Sequence, residues 1–200
     1  MQKLRRNGYN IKMKQLERKP RTLELTRFGN PILRQVARRL EVDEITSEET
    51  KQLIADMKHL LVGNKYGVGL AAPQVGQNLA LSVIGVKPTP TRSELEPFET
   101  VIINPEIIEY HGEPEPMWEA CVSCGSGDDL LYAQAMRHPE VTLRWRDESV
   151  QQREQKLGGF VAHVVQHEVD HLNGVLFVDR VKDATSFMMA DEYRSRIAGK

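Results

Sequence analysis

Residues 166–172 read QHEVDHL, and this stretch decides the fold because it predicts a helix with paired metal ligands. On a helix, side chains at positions i and i+4 lie on one face, so His167 and His171 can bind the same ion. Glu168 follows the first histidine, where its carboxylate can act as a base beside the ion. The alternative is a polar helix face that carries two solvated histidines, and the surrounding sequence must decide between the two.

The helix around this stretch is predicted to span residues 158–172. Gly158 and Gly159 precede it, and Asn173 followed by Gly174 provides a stop signal. Apolar residues cover a broad part of its surface and predict that it is largely buried: Phe160, Val161, Val164, Val165 and Leu172. Histidines in a buried helix need polar partners, which favours metal binding over a solvated face.

A catalytic site needs a third protein ligand, and His163 is the nearest candidate in the sequence. At a rise of 1.5 Å per residue, His163 and His171 lie about 12 Å apart along the helix axis. They cannot both reach an ion that is also bound to His167. We therefore expect His163 on the helix surface or in a pocket wall, and the third ligand elsewhere in the chain.

Two cysteines in EACVSC (119–124) are the candidates for the third ligand. If Cys121 and Cys124 both bind the ion, the site is a closed structural zinc site; if only one binds, a position stays open for water. Cys124 and His167 are 43 positions apart, far beyond the usual zinc-finger spacing of about 12–15 residues. A closed site would also leave Glu168 without a water to deprotonate. The cysteine spacing alone leaves both arrangements open.

A glycine-containing stretch, GVGLAAPQ (67–74), is the third feature that can serve a site. Its glycines let another backbone approach closely, as a peptide does when it pairs with an extended strand. Gln74 at its end supplies an uncharged N–H donor that can stabilise an oxyanion. A plain glycine turn before the next strand is the alternative.

Helices and strands occur together without regular alternation, which predicts an α+β fold. The remaining predicted elements are a helix opened by a capping box at Thr46 and Glu49, strands at 79–86, 101–108 and 141–146, a surface loop at 87–99, and a last helix at 184–198.

The composition limits the class of protein and its compartment. The 200 residues fit one domain of an ordinary soluble protein, with 40% hydrophobic and 28% charged residues. No apolar run approaches the roughly 20 residues that span a bilayer, and two cysteines are too few for a disulfide framework. We therefore expect a cytoplasmic, reducing compartment and no membrane partner.

Residues 1–21 form a basic arm with eight Lys or Arg against one acidic residue. Such an arm can tether a protein to nucleic acid, direct it to an organelle, or be a disordered leader. Its lack of serine argues against import. We expect a disordered leader, followed by a single catalytic domain at 22–200.

Three stretches together resemble the peptide deformylase family. GVGLAAPQ (67–74) fits the family's GxGLAAxQ motif, QHEVDHL fits QHExDHL, and EACVS (119–123) matches EGCLS with two substitutions. The order and rough spacing of the motifs agree over most of residues 22–182. The resemblance implies a peptide deformylase-like α+β fold, with mixed or antiparallel strands packed around a central metal-binding HExxH helix.

The resemblance also implies a metal site and a substrate. The ligands would be Cys121, His167 and His171, holding one divalent ion, with Fe(II) expected and zinc, nickel or cobalt possible. The substrate would be the N-formylmethionine of newly synthesised polypeptides, which would lose formate. The rival from another class is a non-catalytic deformylase-like protein in which Cys124 completes a closed Cys2His2 zinc site. A metalloprotease is disfavoured because a thiolate ligand is unusual beside HExxH in those enzymes.

Five further positions take roles by the same resemblance. Glu168 would be the general base and acid, while Gln74 and the backbone N–H of Val122 would hold the oxyanion. Gly69 and Glu119 would frame the substrate backbone and the pocket for its first side chain.

The chain departs from the family pattern at several positions. Ala120 stands where the family has glycine, which requires a negative φ at that residue. Cys124 replaces an aliphatic residue, and the loop at 125–138 differs from the family's substrate-binding loop. Asp170 can lie behind a metal ligand or on a polar helix face. Since all catalytic residues are present, we expect an active monomeric enzyme, with ribosome contact through the basic arm as a possible addition.

Overall fold

The computed structural model describes residues 20–63, 67–89 and 92–198. Nearly all of the basic arm lies outside these residues, so its prediction as a disordered leader remains a prediction. Among the described residues, no helix is both long and apolar enough to cross a bilayer.

Four α-helices, eight strands and a short π-helix (Arg194–Ala198) make up most of the regular structure of the described residues. The helices are α1 (Val42–Ile45), α2 (Glu48–Gly63), α3 (Gly159–Leu172) and α4 (Ala190–Tyr193). The strands are β1 (Gly69–Ala71), β2 (Leu81–Val86), β3 (Phe98–His111), β4 (Glu115–Ala120), β5 (Leu131–Arg137), β6 (Glu140–Arg146), β7 (Gln152–Gly158) and β8 (Met188–Met189). Short 3-10 turns connect them, including Ala72–Val75 and Val122–Cys124.

The strands form two antiparallel sheets. The larger sheet has the spatial order β1-β2-β3-β6-β7, and the smaller has the order β4-β5-β8. In the larger sheet Leu81 pairs with Ile103 and Glu140 with Gly158; in the smaller one Ala120 pairs with Tyr132. The antiparallel pairing confirms the α+β prediction.

The centre of the larger sheet is covered on both faces, which explains why β2 and residues 101–103 of β3 are largely apolar and buried. Successive side chains of a strand point to opposite faces. On one face the α2 side chains Ile54, Met57 and Leu61 pack with Leu81, Val83, Val101 and Ile103. On the other face the α3 side chains Val164, Val165 and Val169 pack with Ile84, Val86, Ile102 and Leu143. This packing fixes α3 against the sheet.

Several predictions of local structure are confirmed and others are wrong. The HExxH helix and the three predicted strands are present, and most of the loop at 87–99 precedes β3. Thr46 does not form a capping box with Glu49; the backbone N–H of Thr50 instead donates to the Ser47 hydroxyl, 3.2 Å away. The predicted helix at 184–198 is wrong in its first part, because a 3-10 turn and β8 precede α4. Met189 lies in β8, where it pairs with Leu131.

Candidate active site

Two side chains of α3 and one from the end of β4 converge at one place. His167 and His171 project from the helix one turn apart, and Cys121 follows the last residue of β4. The Cys121 Sγ lies 3.3 Å from the His171 Nε2, which is 3.1 Å from the His167 Nε2. One donor atom from each residue lies within 4.8 Å of the others. The structure therefore brings together the three predicted ligands.

The chemistry of this donor set fits a divalent metal ion. Two imidazole nitrogens bound to one tetrahedral ion at about 2.0–2.1 Å lie about 3.3 Å apart, close to the separation found here. The Cys124 thiol donates a hydrogen bond to Cys121 and, against the opposing effect of burial, holds the pKa of Cys121 well below its usual range. His171 and His167 lower this pKa further. A buried thiolate beside two imidazoles favours a bound cation.

Glu119, at the end of β4, orients one of the histidines. One of its oxygens is hydrogen-bonded to the His167 Nδ1, and the other lies 2.7 Å from the His163 Nε2. Arg137 donates to both oxygens, at 2.8 and 3.0 Å. Burial raises the pKa of Glu119, but the three cationic or N–H partners outweigh it and hold the pKa well below its usual value. With Nδ1 engaged, the His167 Nε2 is directed toward the other donors.

Two predictions concern the residues of this network. The carboxylate of Glu119 is buried and hydrogen-bonded to protein partners, which gives it a part in orienting His167; its place in framing the pocket for the substrate's first side chain stays a prediction. His163 is buried against Glu119, which rules out the predicted position on the helix surface and leaves the predicted position in a pocket wall open; it is not among the three ligands.

A second layer of charges lies behind Glu119. Arg137 donates to Asp170 at 2.5 Å, and Arg180 donates to both oxygens of Asp170 at 2.7 and 3.0 Å. Asp170 therefore acts behind the ligands and not on a polar helix face. Arg137 was not among the site residues expected from the sequence. Its signal was the alternation along β5, in which Ala133, Ala135 and Arg137 are the buried residues.

Glu168 lies on the same helix, with its carboxylate in a protected position beside β1. It is 2% exposed, and its Oε2 has no hydrogen-bond partner among the described residues. Burial raises the pKa of Glu168 to about 7, with the nearby imidazoles opposing the rise. Such a carboxyl group can accept and return a proton near neutral pH.

Gly69 provides the space that Glu168 occupies. A Cβ at Gly69 would lie 2.7 Å from the Glu168 Cδ and 2.9 Å from its Cγ, closer than side-chain carbons approach one another. The φ of Gly69 lies outside the left-handed region, so glycine is required here for space and not for backbone conformation. This supports a role for Gly69 in framing the site.

Gln74 is buried with its amide group directed at the donor set. The backbone N–H of Ala71 donates to its Oε1 at 2.8 Å, which leaves its Nε2 facing the Cys121 Sγ at 3.3 Å and the Ser123 Oγ at 3.4 Å. Val122 opens the 3-10 turn that follows Cys121, and the first N–H groups of such a turn have no partner within the helix. Both predicted oxyanion donors therefore lie next to the thiolate.

The departures at Ala120 and Cys124 are accommodated without changing the donor set. Positive φ values among the described non-glycine residues occur only at Asn104 and Val150, so Ala120 meets the condition set for it. Cys124 is half-buried and, among the described residues, is not part of the group that could hold a metal ion.

An α+β fold that brings a thiolate, two imidazoles and a buried carboxylate to one place defines a metal-dependent hydrolase. The sequence profile of the polypeptide deformylase family matches residues 22–187. The chain belongs to this family.

Individual relatives agree with the family match. The chain is 35% identical over 181 residues to peptide deformylase 2 of a Nostoc species, covering 89% of this chain and 96% of the relative. It is 40% identical over 163 residues to a peptide deformylase 2 of Prochlorococcus marinus, covering 80% and 74% of the two chains.

Solved structures give the same result for the fold. The Met-Ala-Ser-bound class I type b peptide deformylase of Acinetobacter baumannii superposes with a TM-score of 0.74 at 31% identity, covering 82% of this chain and 100% of that one. The peptide deformylase of Synechococcus elongatus in complex with actinonin gives a TM-score of 0.69 at 35% identity, covering 82% and 83%. The chain is therefore an enzyme that removes the N-formyl group from newly synthesised polypeptides.

Proposed function

We propose that deformylation by this chain takes place at the site formed by Cys121, His167 and His171, with α3 as the central metal-binding helix of the catalytic domain at 22–200. The observation that carries the proposal is the convergence of these three donors beside the Glu168 Oε2, which has no hydrogen-bond partner among the described residues. A divalent ion bound there supplies a Lewis acid for the formyl oxygen and lowers the pKa of water.

Glu168 moves the protons of the reaction. Its carboxylate takes a proton from the attacking water and later delivers that proton to the departing amine of the methionine residue. The burial that raises its pKa to about 7 suits both transfers, because the group then gains and loses a proton at similar cost near neutral pH.

Gln74 and Val122 stabilise the negative charge that develops on the formyl oxygen. The Gln74 Nε2 is fixed by the hydrogen bond that its Oε1 accepts from Ala71, so it does not have to reorient during the reaction. The backbone N–H of Val122, at the start of the 3-10 turn that follows Cys121, is the second donor. Gly69 leaves free the space that the Glu168 side chain occupies beside the site.

We infer that Fe(II) is the native ion, held by one thiolate and two imidazoles. The same ligands suit zinc, nickel and cobalt. Metal analysis of protein purified under anaerobic conditions, compared with protein purified in air, tests this assignment. Iron in the anaerobic sample supports it, and stoichiometric zinc in both samples contradicts it.

The competing function is a non-catalytic protein with a closed Cys2His2 zinc site, and the two cysteines discriminate it from the enzyme. In the enzyme, Cys121→Ser loses most of the ion and nearly all formate release, whereas Cys124→Ser keeps the ion and measurable activity. In a closed site both substitutions weaken metal binding comparably and the parent protein is inert. Equal metal loss from both variants, with an inert parent, would refute the enzyme.

We further propose that the enzyme acts as a cytoplasmic monomer, and that the basic arm can add contact with ribosomal RNA. The support is the charge of residues 1–21, which carry eight basic side chains against one acid. Deletion of residues 1–20 is expected to leave hydrolysis of short formyl-peptides unchanged and to weaken salt-sensitive ribosome binding. Unchanged ribosome binding would mean that the arm is only a leader.

A further inference from the structure

The second cysteine has no part in the proposed reaction, yet it lies beside a metal ligand. Cys121 and Cys124 are the only cysteines of the chain, and both are reduced thiols. The backbone N–H of Cys124 donates to the Cys121 carbonyl at 2.8 Å, which closes a tight turn over the four residues 121–124.

The turn holds the two cysteines at a separation that a disulfide can span. The first and last Cα atoms of such a turn lie less than about 7 Å apart, and disulfides join Cα atoms that are about 4.4–6.8 Å apart. Both side chains also belong to one apolar cluster, in which Cys121, Ala133 and Phe177 are buried and Cys124 packs at the edge. The Cys124 thiol also donates a hydrogen bond to the Cys121 sulfur, so the two sulfurs can be joined without a change in the sheet.

Exposure differs between the two thiols in a way that suits stepwise oxidation. Cys121 is 2% exposed, but it borders the site that a substrate must enter, while Cys124 is half-buried at the edge of the cluster. His167 is the partly exposed member of the donor set, so a small oxidant can reach Cys121 from the side of His167, and Cys124 is already in place as a second thiol. Redox-sensitive cysteines are commonly found beside such a resolving partner.

We propose that Cys121 and Cys124 are an oxidative modification site, at which a hydroperoxide converts the two thiols into a reversible disulfide and so removes a metal ligand. In the first step the Cys121 thiolate attacks one peroxide oxygen. The S–O bond forms, the O–O bond breaks, and the leaving alkoxide takes a proton to become an alcohol, or water when the oxidant is hydrogen peroxide.

The second step closes the disulfide. The Cys124 sulfur attacks the sulfenic acid of Cys121, the S–S bond forms, the S–O bond breaks, and hydroxide leaves with the proton of Cys124 as water. Two thiols are oxidised by two electrons and one hydroperoxide is reduced. A disulfide sulfur lacks the thiolate charge that binds metal, so the ion loses one of its three ligands.

The modification protects Cys121 from deeper oxidation. A sulfenic acid without a neighbouring thiol proceeds to sulfinic and sulfonic acids, which thiol reductants do not reverse. A disulfide is returned to two thiols by thiol exchange. The loss of the ion rests on the proposed role of Cys121 as a ligand, whereas formation of the disulfide does not.

To test the proposal, the zinc-loaded protein is treated with hydrogen peroxide at low protein concentration. Zinc is used because the ion itself is not oxidised, so every electron must come from the protein. Free thiols, intact mass, disulfide-linked peptides and released zinc are measured before and after treatment with dithiothreitol. The Cys124→Ser variant is treated in parallel, because it keeps Cys121 and lacks the resolving thiol.

We expect the wild type to lose both thiols and two hydrogen atoms per chain, to release zinc, and to recover both thiols with dithiothreitol. Cys124→Ser is expected to gain oxygen atoms on Cys121 that dithiothreitol does not remove. Oxygen addition to the wild type without an internal disulfide, or disulfides only between chains, would overturn the modification site. An internal disulfide that leaves zinc bound would overturn its effect on the metal. The wild-type measurements decide these outcomes even if the variant does not fold, and formate release by the untreated protein tests the proposed function separately.

Discussion

Replacement of Gly69 by alanine tests the packing that positions Glu168. The added Cβ would lie 2.7 and 2.9 Å from the Glu168 Cδ and Cγ, whereas ordinary contacts begin near 3.4 Å. The carboxylate must therefore move by about 1 Å, and a misplacement of that size can lower the rate about a hundredfold. This corresponds to about 2.7 kcal/mol in the activation free energy. We expect kcat/KM for a formyl-Met peptide to fall by about this factor while the bound metal remains near one ion per chain.

A matched control and a double-mutant cycle identify the cause. Gly85→Ala adds the same methyl group to the neighbouring strand, but its Cβ meets only the Leu61 Cδ2 at 3.4 Å, so activity should hardly change. In a Glu168→Ala background, Gly69→Ala has nothing to displace and should cost little stability or activity beyond the first substitution. Unchanged kcat/KM in the Gly69→Ala enzyme, or an equal stability cost in both backgrounds, would show that the clash does not position Glu168.

Three further predictions concern the network behind the site and the parts that support the fold. Glu119→Gln should lower metal affinity by about 10–100-fold in competition with a chelator, because it loosens a ligand imidazole, and an unchanged affinity would rule out this orienting role. Burial raises the pKa of Asp56, but hydrogen bonds from Arg21 and a neighbouring amide outweigh it and leave the pKa below its usual value. The stability that this carboxylate adds is therefore present above the unfolded pKa of about 3.9 and is lost as pH falls through the lower folded pKa. Asp56→Asn should lower the free energy of unfolding by about 1.5–3 kcal/mol at pH 7, measured by urea unfolding. The difference in stability between the wild type and the variant should shrink as the solution is made acidic and stay constant near neutral pH. Tyr193→Ala removes a ring stacked on Tyr132 at 4.0 Å and should lower stability by more than about 0.5–1.5 kcal/mol, whereas Tyr193→Phe keeps the stack and should unfold near the wild-type midpoint.

The ligands on α3 could be predicted because their relation is local. A spacing of four residues in a helix fixes which side chains share a face, so His167 and His171 follow from the sequence once the helix is recognised. The choice between Cys121 and Cys124 could not be made in this way. It depends on how β4 ends against α3, which is a contact between segments more than 40 positions apart.

The elements that sequence patterns missed are those whose conformation is set by distant partners. β7 is an edge strand whose residues are all exposed except Leu157, so it lacks the apolar alternation that indicates a strand. Met189 has helical spacing to Tyr193 but pairs with Leu131 in the smaller sheet. Because of this pairing, the helix begins at Ala190, later than predicted. The family resemblance gave Glu119 a place beside the substrate, but its contact with Arg137 could not be predicted, because Arg137 lies on another strand.

Formate release from a formyl-Met peptide by the wild type and by Glu168→Gln, with metal content measured on the same samples, tests the central claim most directly. The experiment uses anaerobic Fe(II) and, separately, zinc. The account predicts formate release by the wild type, and about one ion per chain in both proteins. Turnover in the variant should be lower by about 100- to 10,000-fold, because the substitution removes the proton-transfer group and no metal ligand. Near-normal turnover by Glu168→Gln, or no formate from a wild type that holds its full metal content, would contradict the account.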